Sequence, residues 1–234
     1  MIALDVVQGT QEWLDARLGI PTASNFSRIV TAKTRKLSAA SDKYLCELVA
    51  ERIIGRPLDD ASTDFMLRGS ILEPDAAKAY EFENDCETVQ IGFALADSRR
   101  WGASPDRLVG EDGLVEIKCP GAAGHVAALL GMSDDEHFAQ VQGQLWVTGR
   151  KWCDLFFYNP AMPSHTVRID RDDEYCAALD AAVPAFCDRV DEAYRRIVGD
   201  AAASWQARDG GSLAMAAGRE GMDAAAVAYY AEGL

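Results

Sequence analysis

Apolar positions along the chain change their spacing near residue 85, and that change sets the predicted architecture. In the first third they recur at helical intervals. Thr10 is placed to cap a short helix that ends at Gly19, and Thr22 or Ser24 could open a second one through Val30. Residues 33–40 read as a loop. Between Ser41 and Ile54, one stripe carries Tyr44, Leu45, Leu48, Val49 and Ile53, with Gly55-Arg56-Pro57 as the stop. A further helical region covers about 62–84, interrupted or restarted at Pro74.

Beyond it the alternation shortens to that of strands. Thr88–Leu95, Trp101–Val109 and Leu114–Cys119 read as three strands, the last two joined by the turn Glu111-Asp112-Gly113. A helix over Asp134–Val147, strands over Trp152–Tyr158 and His165–Ile169, and a long helix over Asp172–Val198 complete the order. Helices, a meander, a helix, two strands and a helix predict an α/β sandwich. Its mixed central sheet has about five strands flanked by helices. The domain is expected to span 1–199, leaving an Ala- and Gly-rich extension, 200–234, that includes Gly210-Gly211.

Composition narrows the function class. A chain of 234 residues with 49% hydrophobic content suits one core. It has no run of eighteen apolar residues, and its start does not read as a signal peptide, so a cytoplasmic protein is expected. The six cysteines form no CxxC pair, and the three histidines have no zinc spacing against them, so reduced thiols are expected. The net charge of −14 argues by itself against nucleic acid. Yet Ala16–Ser41 holds no acid and carries Arg17, Arg28, Lys33, Arg35 and Lys36. A basic strip on an acidic body could hold DNA locally; a solvated helix face would look the same.

The candidate chemistry lies in Ser104-Pro105-Asp106, nine residues, then Glu116-Ile117-Lys118. The predicted hairpin brings Asp106 beside Glu116. Two such carboxylates repel, and a hard divalent cation would remove the conflict. Glu116 and Lys118 are two apart on a strand and face the same way, while Ile117 faces the core and leaves its carbonyl near the site. Lys118 could orient a water made acidic by the ion, which suits phosphodiester hydrolysis. On this spacing alone a solvated hairpin face is the favoured reading.

More of the chain bears on that choice. Gln8-Gly9-Thr10 with Trp13, Arg17-Leu18-Gly19 through Thr22-Ala23-Ser24, Gly69 with Glu73, and Ser104-Pro105-Asp106 occur in that order. Glu116-Ile117-Lys118-Cys119-Pro120 follows, then Ala139-Gln140-Val141-Gln142 with Trp146-Val147-Thr148, then Asp154–Tyr158. Together, over residues 8–198, they resemble the phage lambda exonuclease or YqaJ-type viral recombinase family of PD-(D/E)xK nucleases. The resemblance implies a restriction-endonuclease-like core and a Mg²⁺-dependent 5′-to-3′ exonuclease acting on double-stranded DNA, with Mn²⁺ able to substitute. It implies Asp106, Glu116 and the Ile117 carbonyl as metal ligands, Lys118 positioning the nucleophilic water, and Glu73 joining the cluster from its helix. It implies that Gln142 touches the nucleophile or the scissile phosphate. Arg17, Ser24 and Ser104 would form a 5′-phosphate pocket, and Arg35 would enter a groove or hold the backbone. It further implies a homotrimeric ring, a single-strand DNA annealing protein as partner, and a phage or prophage origin in a bacterial cell. An endonuclease or a catalytically inactive DNA-binding protein remains the alternative.

Overall fold

A computed structural model describes residues 1–58, 64–132 and 137–199. The extension 200–234 and the first residues of the helix expected from Asp134 lie outside them. In chain order come β1 (Ile2–Leu4), α1 (Gln11–Arg17), a 3₁₀ stretch (Ala23–Arg28), α2 (Ser41–Ile54) and α3 (Asp64–Asn84). Then follow β2 (Thr88–Gln90), β3 (Phe93–Leu95), β4 (Gly102–Ala103), β5 (Arg107–Val109) and β6 (Gly113–Lys118). The chain continues with α4 (Ala122–Leu129), α5 (Phe138–Thr148), β7 (Trp152–Phe157), β8 (His165–Asp170) and α6 (Asp173–Val198).

The central sheet has five strands in the order β2-β5-β6-β7-β8. Only β6 and β7 run parallel, and α4 and α5 form the crossover between them. The mixed α/β architecture expected from the pattern is therefore present. A second sheet, β1-β3-β4, corrects the strand assignments. The run 88–95 is two strands, β2 in the large sheet and β3 in the small one, and the run 101–109 divides the same way into β4 and β5. The chain passes between sheets at Ile91–Gly92 and returns through Ser104–Asp106. At Gly92 a Cβ would stand 1.8 Å from the Val6 carbonyl oxygen, so a side chain is excluded there. Gln8 ties the two crossings together, its amide donating to the carbonyls of Ile91 (3.1 Å) and Pro105 (3.2 Å).

The predicted second helix is a 3₁₀ stretch, and α4 was not anticipated. Both α3 and α6 continue past their prolines, Pro74 and Pro184. The helix α6 starts where the sequence places it, with the Asp172 carboxylate accepting the Tyr175 N–H at 2.9 Å.

Alternation along β6 divides the core. Val115 and Ile117 pack with Phe156 against Ala76, Ala77 and Tyr80 of α3. Leu114 faces the other way with Cys153, onto Val141 and Leu145 of α5. A larger cluster joins the 3₁₀ stretch, α2, α5 and α6 around Phe26, Tyr44 and Phe186. Each such fully buried side chain contributes about 1.5–3 kcal/mol from burial. Gly143 lets α5 lie close to the 3₁₀ stretch, because a Cβ there would be 2.6 Å from the Phe26 ring. The consequence is that α5 lies over the face from which Glu116 and Lys118 project.

Candidate active site

The register of β5 against β6 pairs Arg107 with Val115. One step further along the same ladder sets Asp106 opposite Glu116. Asp106 precedes β5 in the returning crossing rather than lying on a hairpin arm, and one hydrogen bond fixes it there. Its Oδ2 accepts the Ile117 backbone N–H at 2.6 Å. Thus Asp106, Glu116, Ile117 and Lys118 are brought together as the spacing suggests.

Glu116 is 3% exposed and its carboxylate is gripped by three donors. Oε1 accepts from Lys118 Nζ at 2.7 Å and from Gln140 Nε2 at 2.7 Å. Oε2 accepts from Gln144 Nε2 at 2.7 Å. Burial, followed by repulsion from Glu116, holds the Asp106 carboxyl well above the usual carboxylate range; Lys118 opposes this and Glu73 adds to it. Burial pulls the Lys118 ammonium down, but Glu116 and Asp106 outweigh it, and the net shift is upward. Glu73, half-buried on α3, is raised by burial; Arg107 pulls it down and Glu116 pushes it up. Glu73 therefore lies within the electrostatic reach of this cluster from the opposite layer.

The donor set suits a hard divalent cation. Two carboxylates and a nearby third share one ammonium, and a cation would relieve the repulsion that raises Asp106. Among the described residues no three His, Cys, Asp or Glu side chains are gathered into a metal cage. An ion here would take the Asp106 and Glu116 carboxylates and complete its shell with carbonyl oxygen and water, as Mg²⁺ commonly does.

The position of Gln142 corrects an expectation. It is fully buried and turned from Glu116: its Nε2 donates to the Asp170 carbonyl at 2.8 Å, and its Oε1 accepts the Asp172 N–H at 2.8 Å. Two residues along a helix turn about 200°, so Gln140 and Gln142 face opposite sides, while Gln140 and Gln144 share a face. Gln142 braces the junction of β8 and α6. The signal that identifies Gln140 and Gln144 is their four-residue spacing beside a strand that carries Glu116.

A second cluster adjoins the first. The Arg17 guanidinium lies 3.8 Å from the centroid of the Trp13 ring, and the Trp13 indole N–H donates to Ser104 Oγ at 3.0 Å. Burial lowers the Arg17 pKa to about 10, with Tyr44 and Glu51 opposing. Thr22 forms an isolated parallel bridge with Gly102, after which the chain enters the 3₁₀ stretch that carries Ser24. Ser24 is exposed, its Oγ 3.2 Å from Thr22 Oγ1. Arg17 and Ser104 are thus linked through Trp13, and Ser24 contacts Thr22 at the start of the 3₁₀ stretch. Arg35 is elsewhere: exposed, left-handed at φ 53°, and ion-paired to Asp172 (2.8 Å) and Glu174 (3.4 Å) at the start of α6. Within the basic strip, Arg28 is likewise held, by both oxygens of Glu47.

Residues 12–151 match the YqaJ-like viral recombinase domain. The chain belongs to that family. Its fold is similar to that of an alkaline exonuclease from Laribacter hongkongensis, at 34% identity and a TM-score of 0.71, covering 80% of this chain and 96% of that one. The same exonuclease in complex with dAMP gives the same figures. A phage-related exonuclease from Haemophilus somnus shares the fold at 15% identity and a TM-score of 0.61, over 76% of this chain and 96% of that one. An uncharacterised Escherichia coli K12 protein, ExoD, is 38% identical over 64 residues, which are 26% of this chain and 74% of that protein. The matched span includes Trp13, Arg17, Ser104, Asp106, Glu116 and Lys118. Among the described residues, no helix is long and apolar enough to cross a membrane.

Proposed function

We propose that this protein is a divalent-metal-dependent nuclease that digests one strand of double-stranded DNA from its 5′ end and leaves a 3′ single-stranded overhang. The observation that carries the reading is the under-compensated pair Asp106 and Glu116 with Lys118 bonded to Glu116 at 2.7 Å. Mg²⁺ is the proposed ion, with Mn²⁺ able to substitute; when bound it would acidify a water and stabilise charge on the scissile phosphate. Asp106, Glu116 and the Ile117 carbonyl would hold it, with Glu73 reaching it through water. Lys118 would orient the attacking water, because its ammonium already sits beside the carboxylate. Gln140, rather than Gln142, would reach the reacting phosphate, since its amide points into this cluster.

Arg17, Ser24 and Ser104 would take the terminal 5′-phosphate. The support is Arg17 itself, a guanidinium on an indole face, well suited to clasp phosphate with two N–H bonds. The Laribacter exonuclease, 34% identical and also solved in complex with the mononucleotide dAMP, supports the same chemistry. Arg35 would hold DNA backbone only after exchanging its acidic partners. A homotrimeric ring around the duplex would place basic groups inside and the acidic surface outside, which reconciles −14 with DNA binding. The retained strand would pass to a single-strand annealing protein for recombination.

The deciding experiment is strand-resolved digestion of an end-labelled duplex, with Mg²⁺ or with chelator. Expected is Mg²⁺-dependent release of nucleotides from 5′-phosphorylated ends, with covalently closed circles left intact. Release from 3′ ends, or rapid cutting of closed circles, overturns the reading.

A further inference from the structure

Gln144 stands between the two clusters and belongs to neither of the roles assigned above. It is 1% exposed, on the α5 face that lies over β6. One amide nitrogen serves two acceptors: Glu116 Oε2 at 2.7 Å, and the Ser104 carbonyl at 3.5 Å, the long end of the hydrogen-bond range. Ser104 is therefore held from both sides, with its Oγ on the Trp13 indole that supports Arg17 and its carbonyl facing Gln144. A continuous line of contacts runs from Arg17 through Trp13, Ser104 and Gln144 to Glu116 and Lys118.

Two further details show what Gln144 does to Glu116. Among the described residues the carboxylate's Oε1 has two donors, Lys118 and Gln140, whereas Oε2 has Gln144 alone. A carboxylate oxygen with one donor keeps a lone pair to offer a cation. The Gln144 Oε1 is buried and, among the described residues, has no hydrogen-bond partner.

We infer that Gln144 is a positioning residue that couples recognition of the DNA end to the metal-binding carboxylate. Its amide fixes the Glu116 rotamer and registers it against Ser104, so that when a phosphate is seated near Ser104 and Arg17, Oε2 is aimed to hold the cation. The inference rests on the nuclease reading, and it adds the end specificity of that same site. Partners that orient a metal ligand from behind typically change metal affinity or activity by about 10–100-fold when removed.

The test is Gln144→Met, which keeps the volume and removes both polar atoms. Two quantities are read on protein shown to be folded by circular dichroism: Mg²⁺ affinity by calorimetry without DNA, and the ratio of initial rates on 5′-phosphorylated and 5′-hydroxyl duplex ends. Expected are about tenfold weaker Mg²⁺ binding and a rate ratio that falls towards one. A structural role alone would lower the yield of folded protein and leave both quantities unchanged. If Gln144→Met does not fold, Gln144→Asn decides, because it keeps the amide but is one methylene too short to span both acceptors. Native Mg²⁺ affinity and native end preference in the folded variant overturn the inference. Absence of Mg²⁺-dependent 5′ digestion in the unaltered protein instead overturns the nuclease reading.

Discussion

Two buried acids on adjacent, parallel strands face opposite sides of the same sheet, and they are treated in opposite ways. On the α3 side, Asp154 of β7 is 1% exposed and fully matched. It accepts from the Tyr80 hydroxyl at 2.7 Å and pairs with both Nε and an Nη of Arg168, whose guanidinium lies 3.7 Å from the Trp152 ring centroid. On the α5 side, Glu116 and Asp106 share one ammonium and repel each other, with Glu73 adding to the excess. A buried charge kept for structure is brought to balance. A buried cluster left with surplus negative charge is where the proposed cation would be held. Burial alone would not separate the two, since both carboxylates are almost fully buried.

The largest expected effect tests which side reacts. Lys118→Met should lower the Mg²⁺-dependent digestion rate by about 10²–10⁴-fold, the usual range for losing a positioned proton-transfer or water-orienting group. The protein should remain folded by circular dichroism. A rate equal to that of the unaltered protein would remove Lys118 from the chemistry and with it the contrast between the two faces.

Asp154→Ala should do the reverse. Breaking a buried pair costs about 3–5 kcal/mol when the abandoned charge stays buried. The Arg168 side chain is 52% exposed and can turn to water, so about 2–3 kcal/mol is expected, part of it from the unpartnered Tyr80 hydroxyl. Urea denaturation should register that loss. The digestion rate per folded molecule should stay within about twofold, because Asp154 faces the opposite side of the sheet from Glu116 and its partners are Tyr80 and Arg168. A large drop in rate at unchanged stability would show that the balanced face also serves the reaction.

The contrast also explains what the sequence could convey. Asp106, Glu116 and Lys118 were legible because strand periodicity and one tight turn suffice to bring them together, and both are local. The five-stranded sheet and α6 were legible for the same reason. The division of 88–95 and 101–109 between two sheets was not. Its cause is the approach of Val6 to Gly92 and the Gln8 clamp on Ile91 and Pro105, contacts made across more than eighty residues. The glutamines show an intermediate case. The block Ala139-Gln140-Val141-Gln142 marks α5 as part of the site, but the phase of the helix decides which amide faces β6. That phase follows from packing of Val141 and Leu145 under Leu114. Gln144, four residues on, was available from the same phase and lay outside the block.

The smallest effect is also the one that most directly probes the surplus charge. Asp106→Asn keeps an oxygen to accept the Ile117 N–H and removes the repulsion with Glu116. An acid whose folded-state pKa lies above its unfolded value of about 3.9 favours the unfolded chain once pH passes that lower value, and the deficit grows until pH reaches the higher one. Without metal, the stability of the unaltered protein should therefore fall as pH rises through this window. The Asn variant should lack that contribution and, at pH 8, be more stable by about 1 kcal/mol, as is common when a strained functional group is neutralised. Mg²⁺ should raise the melting temperature of the unaltered protein, as an ion held only by the folded state would, and should do so weakly or not at all for the variant. If Asp106→Asn were instead less stable than the unaltered protein in chelator at pH 8, Asp106 would be a structural acid like Asp154, and the two faces of the sheet would no longer differ in kind.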